Sequence, residues 1–200
     1  MYGMFLFPLK ERIRRLNRKV RFLEIGLGCG QPYGPVVSLK IWRRIFGDES
    51  RLDLWVAEFN EVCLRIHAEK LIGVHVLHGD QSNLTTLNDW ANESGGNFDV
   101  IIDDGGHKSS QILNSLINLW SSLAPGGIYF IEDLHVQSTH DLFKSPGYPA
   151  PIVVLQAWIE ALAIKGQRVE KHFDRILKRF PLPSGLSYIF CQKEACVLGK

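Results

Sequence analysis

The chain has 200 residues, of which 46% are apolar, 22% charged and 10% aromatic. That length buries a sizeable core, and those fractions exclude a disordered or low-complexity protein. A formal net charge of +2 gives no reason to expect a nucleic-acid partner.

Residues 1–9 are apolar, but the basic cluster Lys10, Arg12, Arg14, Arg15, Arg18, Lys19 and Arg21 follows them. That is the reverse of a secretory signal, and the run is too short to span a membrane. The cluster reads as a solvated helix face or as a phosphate- or membrane-binding patch. Leu9, Ile13, Leu16 and Val20 predict a short amphipathic helix over 8–21. Residues 21–25 form a first strand, closed by Gly26-Leu27-Gly28-Cys29-Gly30, and 36–46 a helix.

A second strand over 52–59 ends on Glu58, a helix covers 61–70, and a shorter third strand over 74–77 runs into Gly79-Asp80-Gln81. After a helix over 84–92 comes the apolar run Val100-Ile101-Ile102, the fourth strand, which breaks into Asp103-Asp104-Gly105-Gly106-His107. A helix over 108–123 is stopped by Ala124-Pro125-Gly126-Gly127, and the fifth strand, 128–131, ends on Glu132-Asp133. Beyond it the pattern predicts a loop over 135–150, a helix over 151–164, and a hairpin of strands 175–180 and 186–192 around Pro181-Leu182-Pro183-Ser184-Gly185.

Strands alternating with helices predict an α/β fold with a doubly wound, mostly parallel sheet, closed here by an antiparallel pair. Cys29, Cys63, Cys191 and Cys196 lack metal-ligand spacing, so reduced thiols in a cytoplasmic protein are expected.

Alternate glycines after a buried strand let backbone amides approach a ligand, and the next helix N-terminus favours an anionic group. The spacing is not the dinucleotide fingerprint, because Gln31 stands where its third glycine belongs. Glu58 is placed to accept two ribose hydroxyls, Asp80 to meet an adenine amino group, and Glu24 adds an acceptor before the glycines.

With Leu123-Ala124-Pro125-Gly126-Gly127 before strand five, these features resemble class I S-adenosylmethionine-dependent methyltransferases. The resemblance implies a seven-stranded, Rossmann-like sheet of order 3-2-1-4-5-7-6 with strand seven antiparallel. It implies one domain with a basic helical segment (1–21), a cofactor-binding core (22–133) and a substrate-side loop, helix and hairpin (134–200). Gly26, Gly28, Gly30, Glu24, Glu58, Asp80 and Gln81 are then cofactor contacts.

In that order strands four and five are neighbours about 4.8 Å apart, which gathers Asp103, Asp104, Glu132 and Asp133. Carboxylates so close repel unless protonated or bound to a cation, and oxygen ligands with open water positions suit Mg²⁺. Asp104-Gly105-Gly106-His107 with Ile131-Glu132-Asp133-Leu134 is similar to the metal-dependent sugar O-methyltransferases of antibiotic biosynthesis and the related cephalosporin hydroxylase/rhamnosyl O-methyltransferase group. The resemblance assigns Asp104, Glu132 and Asp133 to Mg²⁺ and His107 to the general base, with Asp103 nearer the cofactor. Gly106 stands where that group usually has Ser.

The function implied is Mg²⁺-assisted methylation of a hydroxyl on a small molecule, with a sugar or glycosylated natural product as one acceptor class. A cofactor-binding regulatory or assembly module without catalysis is the alternative, and an acid cluster facing solvent without a metal is the alternative for the site. A hydrolase is disfavoured because no Gly-x-Ser-x-Gly elbow occurs. Methylation of a base amine is disfavoured because no Asn/Asp-Pro-Pro-aromatic motif follows strand four. Oligomeric state is left open.

Overall fold

The computed structural model describes residues 1–164 and 171–200. Seven strands form one sheet: β1 (Val20–Ile25), β2 (Leu52–Glu58), β3 (His75–His78), β4 (Phe98–Asp103), β5 (Leu123–Ile131), β6 (Tyr188–Gln192) and β7 (Ala195–Gly199). Their order is β3-β2-β1-β4-β5-β7-β6, with β1 to β5 parallel and β7 antiparallel to both its neighbours. This is the expected topology.

Side-chain alternation along each strand divides the core in two. On one face Leu23, Ile25, Ile101 and Tyr129 pack against α4 (Leu84–Ser94), α5 (Ser109–Leu119) and α7 (Pro151–Ala163), with Trp90, Leu116 and Trp158 buried there. On the other, Phe22, Val56, Val100, Ile102 and Phe130 meet α1 (Tyr2–Arg15) and α2 (Val37–Phe46) through Leu6, Leu9, Ile13, Leu39, Trp42 and Phe46. A strand buried on both faces reads as a continuous apolar run, which is why β4 stands out in the sequence. All five tryptophans are core residues.

Four local expectations are corrected. The first helix begins at Tyr2 and runs through Pro8 to Arg15, because Leu6, Leu9 and Ile13 form the buried stripe that offsets the hydrogen bond lost at Pro8. Ala124-Pro125-Gly126-Gly127 does not end a helix but is a bulge inside β5, whose register against β4 jumps from Phe98↔Leu123 to Val100↔Ile128. Residues 175–180 are not a strand: Ile176, Leu177 and Phe180 sit at helical spacing and pack on the core from α8 (Lys171–Arg179) and its end. The hairpin is β6–β7, turned at Lys193-Glu194 with Glu194 at φ 71°, a turn without the usual Asn-Gly signal.

The basic segment and the cysteines are corrected as well. Arg18 forms a bidentate pair with the buried Asp99 (2.7 Å to each oxygen), Arg21 pairs with Asp53 at 3.3 Å, and Arg12 donates to the Gly126 carbonyl at 2.7 Å. Three of the cluster's five arginines thus tie the first helix and strand to β2, β4 and β5, while Arg12, Arg14, Arg15 and Arg18 also stay exposed, as a solvated face would. The four cysteines are paired, Cys29 with Cys63 and Cys191 with Cys196. Parallel neighbours β1 and β2 bring the first pair to a Cα separation of 6.2 Å, and the second pair are register partners on β6 and β7. The thiol basis for a reducing compartment therefore falls away. Among the described residues no helix is long and apolar enough to cross a membrane.

Candidate active site

The carboxyl ends of β1, β2, β3 and β4 open into one cleft of about 270 Å³, the place where open α/β sheets hold ligands. β1 stops at Gly26, whose φ of 96° and close approach both require glycine: a Cβ there would collide with the Asp104 carbonyl. The loop is anchored to β2 by Glu58, which accepts from the Leu27 amide at 2.9 Å and the Asn60 amide at 2.8 Å. After β3, Asp80 accepts from the Ser82 amide at 2.8 Å, which fixes its carboxylate at the rim.

Gln81 ties β3 to the β4 loop. Its amide nitrogen donates to Asp103 at 2.9 Å and its oxygen accepts from the Gly106 amide at 2.9 Å. A side chain at Gly105 would strike that same oxygen, which explains the glycine.

At the other side of the cleft stand Asp104 and His107, after β4, and Asp133, after β5. One ligand atom from each lies within 4.8 Å of the others. The His107 Nε2 atom is 3.5 Å from Asp133 and 3.9 Å from Asp104. His107 and Asp133 both adopt left-handed backbone, at φ 57° and 52°. Non-glycine residues rarely sit there, and such outliers gather at functional sites. The Asp104 carboxyl is pushed up to about 7, by burial first and then by Glu132, Asp133, Glu24 and Asp103.

The cleft thus brings together Gly26, Gly28, Glu58, Asp80, Gln81, Asp104, His107 and Asp133. Gly30 and three of the named acids are not among its lining residues. Glu24 shares the face of Phe22 and points under α2, where Ser38 donates to it at 2.8 Å. Burial pushes its carboxyl up to about 7. Asp103 is buried behind the cleft, accepting from Ser115, Gln81 and Tyr129. Burial raises its pKa, against the pull of Ser115 and Gln81. Asp103 is thus linked to the cleft through Gln81 and through the electrostatic pull of His107. Glu132 accepts the hydroxyl of Tyr2, which is packed between Trp42 and Phe130. Of the acids expected at the cation, Asp104 and Asp133 thus converge beside His107, and Asp133 shares a second such group with His135 and Glu194.

Sequence reasoning missed Gln31, Tyr33, Phe59, Gln111 and Cys29 in the cleft wall and Tyr2 behind it. Phe59 is 70% exposed and Tyr33 65%. Those exposures are not readable from the sequence, and single exposed aromatics are ordinary; Tyr2 offered no signal either.

Two carboxylates converging within 4.8 Å beside an imidazole offer oxygen donors that suit a divalent cation and leave the imidazole next to it, and neutralising Asp104 would relieve its repulsion. The glycine loop, Glu58 and Asp80 line the same cleft and offer it backbone amides and carboxylates.

No family model matches the chain. Among curated proteins it is 34% identical over 119 residues to 8-demethyl-8-alpha-L-rhamnosyl tetracenomycin-C 2'-O-methyltransferase of Streptomyces olivaceus, covering 59% of this chain and 29% of that protein. It is 32% identical over 119 residues to mycinamicin VI 2''-O-methyltransferase of Micromonospora griseorubida, covering 59% and 28%. Among solved structures it superposes on the MycE methyltransferase of the mycinamycin biosynthetic pathway, in complex with Mg and SAH, with a TM-score of 0.70 and 21% identity. That match covers 96% of this chain and 48% of MycE. The chain spans less than a third of the curated relatives and about half of MycE. Its fold is that of the class I S-adenosylmethionine-dependent methyltransferases, and its sequence is similar to the sugar O-methyltransferases of macrolide and polyketide pathways.

Proposed function

We propose that the chain is an S-adenosylmethionine-dependent O-methyltransferase, assisted by Mg²⁺, that methylates a hydroxyl of a sugar or glycosylated small molecule. The observation that carries this reading is the shared cleft: glycine loop, Glu58 and Asp80 on one side, Asp104, His107 and Asp133 on the other. The named activities of the curated relatives support the acceptor class.

The glycine-loop amides would take the carboxylate of S-adenosylmethionine, Glu58 the ribose hydroxyls on its remaining lone pairs, and Asp80 the adenine amine. Phe59 and Trp90 supply apolar wall to the same space. Asp104 and Asp133 would hold Mg²⁺, with Glu132 joining on release from Tyr2. Held there, the ion would supply Lewis-acid chemistry that lowers the pKa of an acceptor hydroxyl. His107 Nε2 is the atom that would accept the hydroxyl proton, and Asp133 at 3.5 Å would stabilise the resulting imidazolium. A methyl sulfonium is already reactive, so alignment of donor and acceptor contributes most of the rest.

Calorimetry with S-adenosylmethionine, with and without Mg²⁺, followed by a labelled-methyl acceptor screen, tests the reading. Cofactor binding and chelator-sensitive transfer to glycosides are expected. Failure to bind S-adenosylmethionine overturns the cofactor assignment, and full activity in excess chelator overturns the ion. Binding without turnover across a broad hydroxyl panel would favour the non-catalytic module.

A further inference from the structure

The Cys29–Cys63 disulfide joins the glycine loop to α3 (Glu61–Ile66), the helix that follows Glu58. Cys29 lines the cleft and is half-buried, whereas Cys63 is 9% exposed. The loop around Cys29 is held at its ends, where Glu58 accepts from the Leu27 amide at 2.9 Å and the Val36 amide donates to the Leu27 carbonyl at 3.1 Å. Inside that closure, over residues 28–35, the described backbone hydrogen bonds are local turns, Gln31 to Gly28 at 3.2 Å and Gly34 to Gln31 at 2.9 Å. Gly28, Gly30 and Gly34 all have positive φ, and a Cβ added at Gly30 or Gly34 would meet nothing within 4 Å. With open space around Gly30 and Gly34 and only local turns between the fixed ends, the middle of the loop can sample other shapes, so a covalent tie from Cys29 to the neighbouring strand's helix restrains it where packing is thin. Cys191–Cys196 differs: it links residues already paired in register on β6 and β7, and neither lines the cleft.

We propose that Cys29–Cys63 is a redox modification site that sets the affinity of the cleft for its nucleoside ligand. The oxidised pair holds the glycine loop in its binding shape, and reduction by a protein or small-molecule dithiol releases it. The proposal rests on the cleft taking S-adenosylmethionine. A thiolate of the dithiol attacks Cys29 Sγ, the more accessible sulfur; the S–S bond breaks and Cys63 leaves as a thiolate that is then protonated. The second thiol of the reductant, as its thiolate, displaces Cys29 from the mixed disulfide. Two electrons and two protons pass to the protein, and the reductant closes its own disulfide.

The test compares oxidised and dithiothreitol-reduced protein, with thiols counted by alkylation and mass spectrometry. S-adenosylhomocysteine affinity is read by calorimetry, and amide exchange over residues 26–34 by mass spectrometry. Reduction is expected to weaken binding about tenfold, the scale of losing one preorganised loop, and to speed exchange in that segment. Cys29→Ser and Cys63→Ser should each reproduce the reduced state without reductant, and Cys29→Ser at the half-buried position suffices where Cys63→Ser does not fold. The Cys191→Ser/Cys196→Ser double variant should bind as the parent does. Unchanged exchange over 26–34 on reduction overturns the proposal, and so does equal affinity in the two states. If S-adenosylhomocysteine binds in neither state, the cofactor reading fails and the exchange measurement alone decides the redox site.

Discussion

The two sides of the cleft are built by different means. The nucleoside side is mostly backbone: a glycine loop whose conformation follows from missing side chains, tied down by Glu58 and by Cys29–Cys63. The acid side is mostly side chain: Asp104, His107 and Asp133 from two adjacent strand ends, two of them on left-handed backbone. One side is suited to holding a ligand by shape and the other to reacting with it, so substitutions should separate binding from turnover.

The largest effect is expected on the acid side. His107→Asn or Asp133→Asn should lower methyl transfer about 10²- to 10⁴-fold, the range for a positioned base or electrostatic group. Cofactor affinity in the same variants should stay within about twofold; a parallel loss of affinity would erase the division between the two sides. On the nucleoside side, Glu58→Ala should weaken S-adenosylmethionine binding about tenfold. It should also cost about 1–3 kcal/mol in chemical denaturation, because the Leu27 and Asn60 amides lose their acceptor.

A smaller effect follows from the raised carboxyls of Asp104 and Glu24, each pushed up to about 7. The folded chain then holds protons that the unfolded chain has released, so stability is greatest in acid and falls as pH rises toward about 7. Without divalent cations the melting temperature should drop between about pH 5 and about pH 8. Glu24→Gln should flatten part of that slope, and Mg²⁺ should recover part of the loss at the upper end. A melting temperature that rises across the window contradicts the assignment. The smallest change expected is from Tyr2→Phe: about 1 kcal/mol of stability and a modestly tighter Mg²⁺ titration as Glu132 is freed. Weaker Mg²⁺ binding would instead make Tyr2 a positioning residue for Glu132.

The sequence carried the topology because the centre of β4, Val100-Ile101-Ile102, is apolar and each of the first five strands is punctuated by glycine or acid at its carboxyl end. It also carried the residues whose position alone decides their exposure, such as Glu58 and Asp80 at strand tips. Glu24, Asp103 and Glu132 were not legible in the same way. Whether a carboxylate at a strand end faces the cleft or the layer behind it depends on alternation and on partners from distant elements, here Ser38, Ser115 and Tyr2. The disulfides and the Arg18–Asp99 pair escaped for the same reason: each joins residues distant in sequence or across a turn that no local rule identifies. Pro125-Gly126-Gly127 does break regular backbone, but a break interrupts a strand, as here, as readily as it ends a helix.

The left-handed backbone at His107 and Asp133 also limits how this site can change over evolutionary time. Asn, Asp and Gly tolerate that conformation, whereas β-branched residues do not. A descendant that had abandoned turnover but kept its shape would therefore show a narrow set of replacements at these two positions. Broad variation there would mark a lineage in which the β4 and β5 loops had already refolded.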